Sequence, residues 1–276
     1  MATMTAEEIA KLVAQGGPVD LSGKDLHGIG LLGASLKFIT FRQTNLTRSD
    51  CRDADFTGSD LTEATLDGAT LDGAKLIDTT LDRATLIKAS LELATLRFGN
   101  LSRAELVEAN LKGAFLVHCV ASKAIFRKAN ISVARLIESA FFRADFRDAD
   151  LTNAMLNSSL FNESGFQRAR LEFANADHAV LANVHAREAR MRHANFPNSS
   201  FRGADLSGAD LIRASLENAD LSEAKLEEAA LAQARLHGAN LSGCDLSSTI
   251  LDGARFDQQT KWPEGFDPIA AGAHAE

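Results

Sequence analysis

An all-β solenoid is the fold class this sequence predicts, and three periodic observations predict it. Every fifth residue from Leu21 to Phe256 belongs to one set of 48 positions: 32 Leu, 10 Phe, Ile131, Met191, Cys51, Ala121, Ala176 and Ala186. The residue two before each of these is Ala in 31 repeats and Ser, Thr, Cys or Gly in 12 more, so a small side chain accompanies almost every large one. The residue just before is Asp or Asn in 18 repeats and the residue two after is Gly in 12, which marks a turn.

A period of five suits neither regular structure. Five residues turn about 500° on an α-helix, so the leucines would drift round the axis. Five is odd, so on a flat strand successive leucines would alternate faces. The chain must bend within each repeat to aim every Leu inward. The small residue, two positions earlier on an extended segment, shares that inward side. Asx can hydrogen-bond nearby backbone and Gly tolerates positive φ. An extended piece followed by a turn, repeated at constant phase, winds a solenoid.

Runs such as Ala204-Asp205-Leu206-Ser207-Gly208 and Ala239-Asn240-Leu241-Ser242-Gly243 resemble the pentapeptide repeat family, with its A-(D/N)-L-x-x pattern. The resemblance covers all 48 repeats. It implies a right-handed quadrilateral β-helix with four repeats per coil, hence about 12 coils and a rod on the order of 55 Å long at the usual inter-strand spacing. The pattern alone leaves the number of sides open, because Phe pairs 15 apart are as frequent as pairs 20 apart. The chain reads as residues 1–18, a helical cap; 19–256, the repeat body, one elongated domain; and 257–276, a C-terminal cap or tail.

The inward phases form ladders that stack residues 20 apart. The three Ala exceptions have large neighbours (Phe141, Phe196 and Phe166), so they read as volume compensation. The stretch from Val117 to Ser200 holds all three and is the least regular. It is where a kink would be expected. No insertion interrupts the repeat, which removes the usual place for a functional loop.

At the N-terminus, Thr5 and Glu8 have capping-box spacing, and Ile9, Leu12 and Val13 make an apolar stripe. Gly16-Gly17-Pro18 stops the segment, so 5–15 reads as a short helix over the first coil. At the C-terminus, Trp262 and Phe266 flank a Pro-rich turn that resembles the tail of many family members. They read as a cap over the last coil or, alternatively, as a dimer contact, since relatives that bind topoisomerases pair through this end. Residues 269–276 read as disordered.

Composition narrows function. The net charge of −8 and pI near 5.4 argue against direct nucleic-acid binding. No apolar stretch is long enough to span a membrane, and no basic region precedes an apolar run as in a secretory signal, so a cytoplasmic protein is expected. The three cysteines sit at inward phases and read as buried thiols. No metal or nucleotide motif occurs, and His178, His185 and His193 fall on different faces. No cofactor is expected, and a smooth repeat surface offers no catalytic cleft, so the protein reads as a non-enzyme.

Function is then left to the surface. Summed over outward positions, the four faces carry −1, −3, −2 and 0. The neutral face, on the ladder starting at Leu36, bears Ile77, Phe98, Phe115, Val117, Ile137 and Met155, with Phe38 nearer the N-terminus. Either these apolar residues are scattered, as is common, or they mark the site of an unidentified protein partner. The expected role is a rigid protein-binding scaffold or adaptor. The alternative, motivated by the quinolone-resistance members of the family, is a DNA mimic that binds a type II topoisomerase such as DNA gyrase.

Overall fold

The five-residue repeat closes one coil every twenty residues. The structure is a computed structural model that describes residues 4–276, and the chain falls into two compact units, Met1–Ala140 and Phe141–Glu276. In the first unit parallel bridges run at a constant offset of twenty, from Asp20↔Thr40 to Val120↔Ala140. In the second they run from Asp145↔Gly165 to Arg235↔Arg255. Each unit is therefore a β-solenoid with four repeats per coil, which settles the number of sides the pattern left open. Most repeats bridge through a single residue, the one before the large apolar position.

Repeat 61–65 shows why the pattern folds this way, because every backbone N–H is accounted for. Leu61 donates to Thr80 O (2.7 Å), Glu63 to Asp82 O (2.9 Å) and Thr65 to Thr44 O (3.0 Å), one coil away. Ala64 closes the turn onto Leu61 O (3.0 Å). Thr62 N–H is the one without a backbone acceptor, and it donates to Asp60 Oδ1 at 2.9 Å. The Asx preference is thus a backbone requirement met by a side chain.

The residue two after almost every large position adopts φ near +60°, as at Gly58 (69°), Arg83 (56°) and Phe98 (60°). Glycine occurs there because it carries no Cβ penalty. Val133, at φ 52°, is β-branched and carries the strain in full. Val133→Asn, which tolerates this conformation, is expected to stabilise the first unit by up to about 1 kcal/mol. A lower unfolding midpoint in urea would show that lost side-chain contacts outweigh the relief.

The large and small phases are buried almost without exception. Rings 20 apart stack face to face, as Phe141–Phe161 (5.1 Å, 6°) and Phe146–Phe166 (4.9 Å, 8°). Rings 15 apart meet edge to face round a corner, as Phe41–Phe56 (5.6 Å, 62°). Ala176, Ala186, Phe196 and Phe166 are all fully buried. Within each unit the bridge offset is unchanged through the irregular stretch from Val117 to Ser200.

Hydroxyls in the small phase perform a second task. Ser59 Oγ accepts from Ile39 N–H (3.1 Å) and donates to Leu36 O (2.6 Å) one coil earlier. Ser139 does the same between Cys119 N–H (2.9 Å) and Leu116 O (2.7 Å). In each case the hydroxyl stands between a donor and acceptor that elsewhere bond directly across the turn.

Cys51, Cys119 and Cys244 are buried free thiols. Burial pushes them up from an ordinary 9.0 to about 11, 12 and 11 respectively. Their stabilising contribution is complete below pH 9. It is lost above that, as unfolded thiols ionise first and folded ones only near pH 11–12. At pH 8 the native protein is expected to resist Ellman's reagent while the urea-unfolded chain releases three equivalents of chromophore. Reaction of the native chain at the unfolded rate would contradict this burial.

Helix α1 spans Ala6–Ala14. Its capping box is formed, with Glu8 N–H on Thr5 Oγ1 (3.2 Å) and Thr5 N–H on Glu8 Oε2 (2.7 Å), and Ile9 is its buried residue. With Val13, Ile9 faces Leu31, Leu32 and Leu36 of the first coil across a shallow apolar groove.

The other end corrects the sequence reading, which leaves 269–276 disordered. Strand β1, Arg255–Phe256, pairs in parallel with β2, His274–Ala275. Asp267 Oδ1 accepts from Ile269 and Ala270 N–H, Gly272 turns at φ 88°, and Ala273 is buried. The tail thereby supplies one more rung to the ladder. The register also slips by one residue here: Asn240 bridges Lys261, and Thr260 Oγ1 donates to Leu236 O at 2.9 Å.

Candidate protein-binding surface

Outward positions stack in columns because the bridge offset is constant. In the first unit Ile77, Arg97, Val117 and Ile137 form one column, held to the next by Phe98 N–H on Val117 O (3.0 Å) and His118 N–H on Ile137 O (3.1 Å). Phe98 and His118 lie in that next column. Thr95, Phe115 and Arg135 form a third, bridged in sequence.

Five of the six residues expected on this face come together here: Ile77, Phe98, Phe115, Val117 and Ile137. Phe98 is 52% exposed and the other four are half-buried. Met155 occupies the equivalent outward phase but belongs to the second unit, where it too is half-buried. Phe38 is the most exposed large apolar side chain among the described residues, at 73%.

The surface is not a bare apolar patch. Arg97 interrupts the aliphatic column and places its guanidinium 5.5 Å from the Phe98 ring centre. Arg135 lies 5.1 Å from the centre of Phe115. The imidazole of His118 stacks on Phe98 (5.1 Å, 7°), and its Nδ1 is 3.4 Å from Glu138 Oε2. Such cation–aromatic contacts contribute roughly 0.5–1 kcal/mol each when exposed. Chemically the surface offers aromatic edges, planar cations and aliphatic side chains together. That mixture is enriched where proteins meet proteins.

At the C-terminal end, Trp262 stands between Phe256 (5.3 Å, 88°) and Phe266 (5.5 Å, 29°). All three are half-buried, and Trp262 Nε1 is buried without a hydrogen-bond partner. Ile250 and Ile269 are about half exposed in the same unit.

His178 pairs with Asp177 (2.7 Å), and His193 stacks on Phe173 (5.0 Å, 2°). Among the described residues no group of three His, Cys, Asp or Glu is placed to hold a metal, and no helix is long and apolar enough to cross a membrane.

The model of the family described as pentapeptide repeats matches this chain in overlapping segments over residues 34–141 and 164–258. Among solved structures, the chain is similar to HetL, a pentapeptide repeat protein involved in heterocyst differentiation regulation in the cyanobacterium Nostoc. The identity is 30% over 86% of this chain and 96% of that one, with a TM-score of 0.58. It is also similar to a pentapeptide repeat protein of the Arabidopsis thaliana thylakoid lumen, at 32% identity over 36% and 79% of the two chains, with a TM-score of 0.25. QnrB1, a plasmid-mediated fluoroquinolone resistance protein, matches at 17% identity over 64% and 94%, with a TM-score of 0.36. No curated protein sequence is significantly similar to this chain.

Proposed function

This chain belongs to the pentapeptide repeat family, and on that premise we propose that it is a non-enzymatic scaffold that binds a protein partner through the first-unit surface around Phe98 and Phe115. The observation that carries this reading is the juxtaposition of half-buried aliphatic residues with cation-stacked aromatics on a rigid backbone. Preorganisation of this kind lowers the ordering cost of association. The uninterrupted repeat and buried thiols suit a partner-binding role in the cytoplasm, without cofactor, membrane or direct nucleic-acid contact. HetL, 30% identical to this chain, is a pentapeptide repeat protein involved in heterocyst differentiation regulation.

The test uses the full chain as bait in extract from its native cell. Val117→Asp and Ile137→Asp are each expected to weaken capture of a specific partner at least tenfold, since each places a desolvated charge in the contact. The unfolding midpoint should change little, because both side chains are only half-buried. Unchanged capture with intact stability would eliminate this surface. The topoisomerase reading rests on family resemblance alone, and a gyrase supercoiling assay with the purified chain decides it. Pairing of two copies through the Trp262–Phe266 end is checked by light scattering on Trp262→Ala.

A further inference from the structure

In the second unit the ladder sets arginine beside arginine. On other columns an exposed Arg commonly meets a carboxylate one coil away, as Arg83 meets Glu63 (3.1 Å) in the first unit and Arg143 meets Glu163 (2.8 Å) in the second. Arg235 and Arg255 are instead bridge partners on one column, about 4.8 Å apart at the usual inter-strand spacing. Across the corner Arg213 joins them, and the three line a groove of about 370 Å³ with His193, Gln233 and Gly253. Gly253 leaves one end of the groove without a side chain.

The local carboxylates only partly answer this charge. Glu217 meets Arg235 through Nε (3.1 Å) and Glu276 meets Arg255 through Nη1 (3.3 Å), and both are exposed by more than a third. Arg213 Nε donates to the neutral Gln233 Oε1 at 2.7 Å. Each guanidinium thus commits one nitrogen and keeps the rest of its fork for another acceptor. Ser215, which precedes Arg235 on the column, also keeps a buried hydroxyl without a partner. Like charges opposite one another destabilise a ladder. A groove that gathers them within a chain of net charge −8 is organised for an anion.

We propose that this groove binds a doubly charged phosphate group, held by Arg213, Arg235 and Arg255. One guanidinium fork suffices for a single carboxylate, whereas three forks match the several acceptor oxygens and double charge of a phosphate. The phosphate is either free or carried on a side chain.

Calorimetric titration of the full chain at fixed ionic strength tests this, with inorganic phosphate, a phosphoserine peptide and its unphosphorylated counterpart as probes. Saturable binding of at least one phosphate probe is expected, with none of the unphosphorylated peptide. Saturation by inorganic phosphate assigns a free anion, and saturation by the phosphopeptide alone assigns a modified side chain. Arg213→Gln and Arg255→Gln should each weaken binding roughly tenfold, and Arg83→Gln, in the other unit, should not. Unfolding midpoints confirm that the variants are folded. No saturable heat with either phosphate probe overturns the site, as does binding that survives both groove substitutions.

Discussion

Phe161→Ala is expected to cost the second unit about 3–5 kcal/mol. Phe161 stacks on Phe141 (5.1 Å, 6°) and meets Phe146 (5.8 Å, 68°) and Phe166 (5.5 Å, 67°) edge to face, so three rings lose a partner at once. All four rings are fully buried, and the surrounding backbone is pinned by coil-to-coil hydrogen bonds, such as Phe141 N–H on Leu160 O (2.7 Å) and Phe161 N–H on Val180 O (2.7 Å). The site therefore has little freedom to collapse into the cavity. Phe161→Leu should recover more than half the loss, because most repeats carry Leu at that phase. Urea unfolding followed by circular dichroism measures both. Because coils contact mainly their neighbours, the lesion should also stay local, and amide exchange should quicken near Phe161 more than near Leu241. A loss below about 1.5 kcal/mol would mean that the neighbouring rings repack.

Ser59→Ala should cost about 1–3 kcal/mol, although Ala is the commonest residue at its phase. Most small-phase residues serve only to fill space, and Ala does that as well. Ser59 differs because its hydroxyl relays Ile39 N–H to Leu36 O, both buried. Removing it leaves a donor and an acceptor unpaired inside the coil. Ser164→Ala is the comparison, since Ala144 N–H also reaches Phe141 O directly at 3.0 Å and keeps a partner when the hydroxyl goes. The Ser59 variant should lose clearly more stability than the Ser164 variant. Equal losses would show that the turn at Leu36–Ile39 closes on itself once the hydroxyl is gone.

The inward ladders were legible because burial follows residue size at a fixed period, which a single sequence displays. The number of sides was not, and Phe41 and Phe141 show why. One makes its contact 15 residues on and the other 20 on, so both spacings are real contacts in one lattice. The turn chemistry was readable at Asp60 because the Asx preference reflects a single backbone N–H that lacks any other acceptor. The surface was read less well. The outward phase of Ile77, Phe98, Phe115, Val117 and Ile137 was legible, but the placement of Arg97 and Arg135 over the rings was not, since covering a ring depends on how long side chains lie across columns. Met155 shares the outward phase yet falls in the other unit, and phase alone carries no information about that division. The tail was misread because small and polar residues resemble a disordered end, although Asp267 and Gly272 supply a turn and Ala273 the small side chain an extra rung needs.

The positive-φ corner has a consequence for how such surfaces diversify. Its backbone N–H is satisfied by the next coil whichever residue stands there, as with Glu63 on Asp82 O and Phe98 on Val117 O. The corner already tolerates Phe, Arg, Glu, His and Lys at similar φ. Each coil therefore carries up to four addressable pixels at fixed pitch, and rewriting one with a residue that tolerates positive φ leaves the hydrogen-bonded lattice beneath it intact. A binding specificity could be redrawn, one corner at a time, without renegotiating the fold.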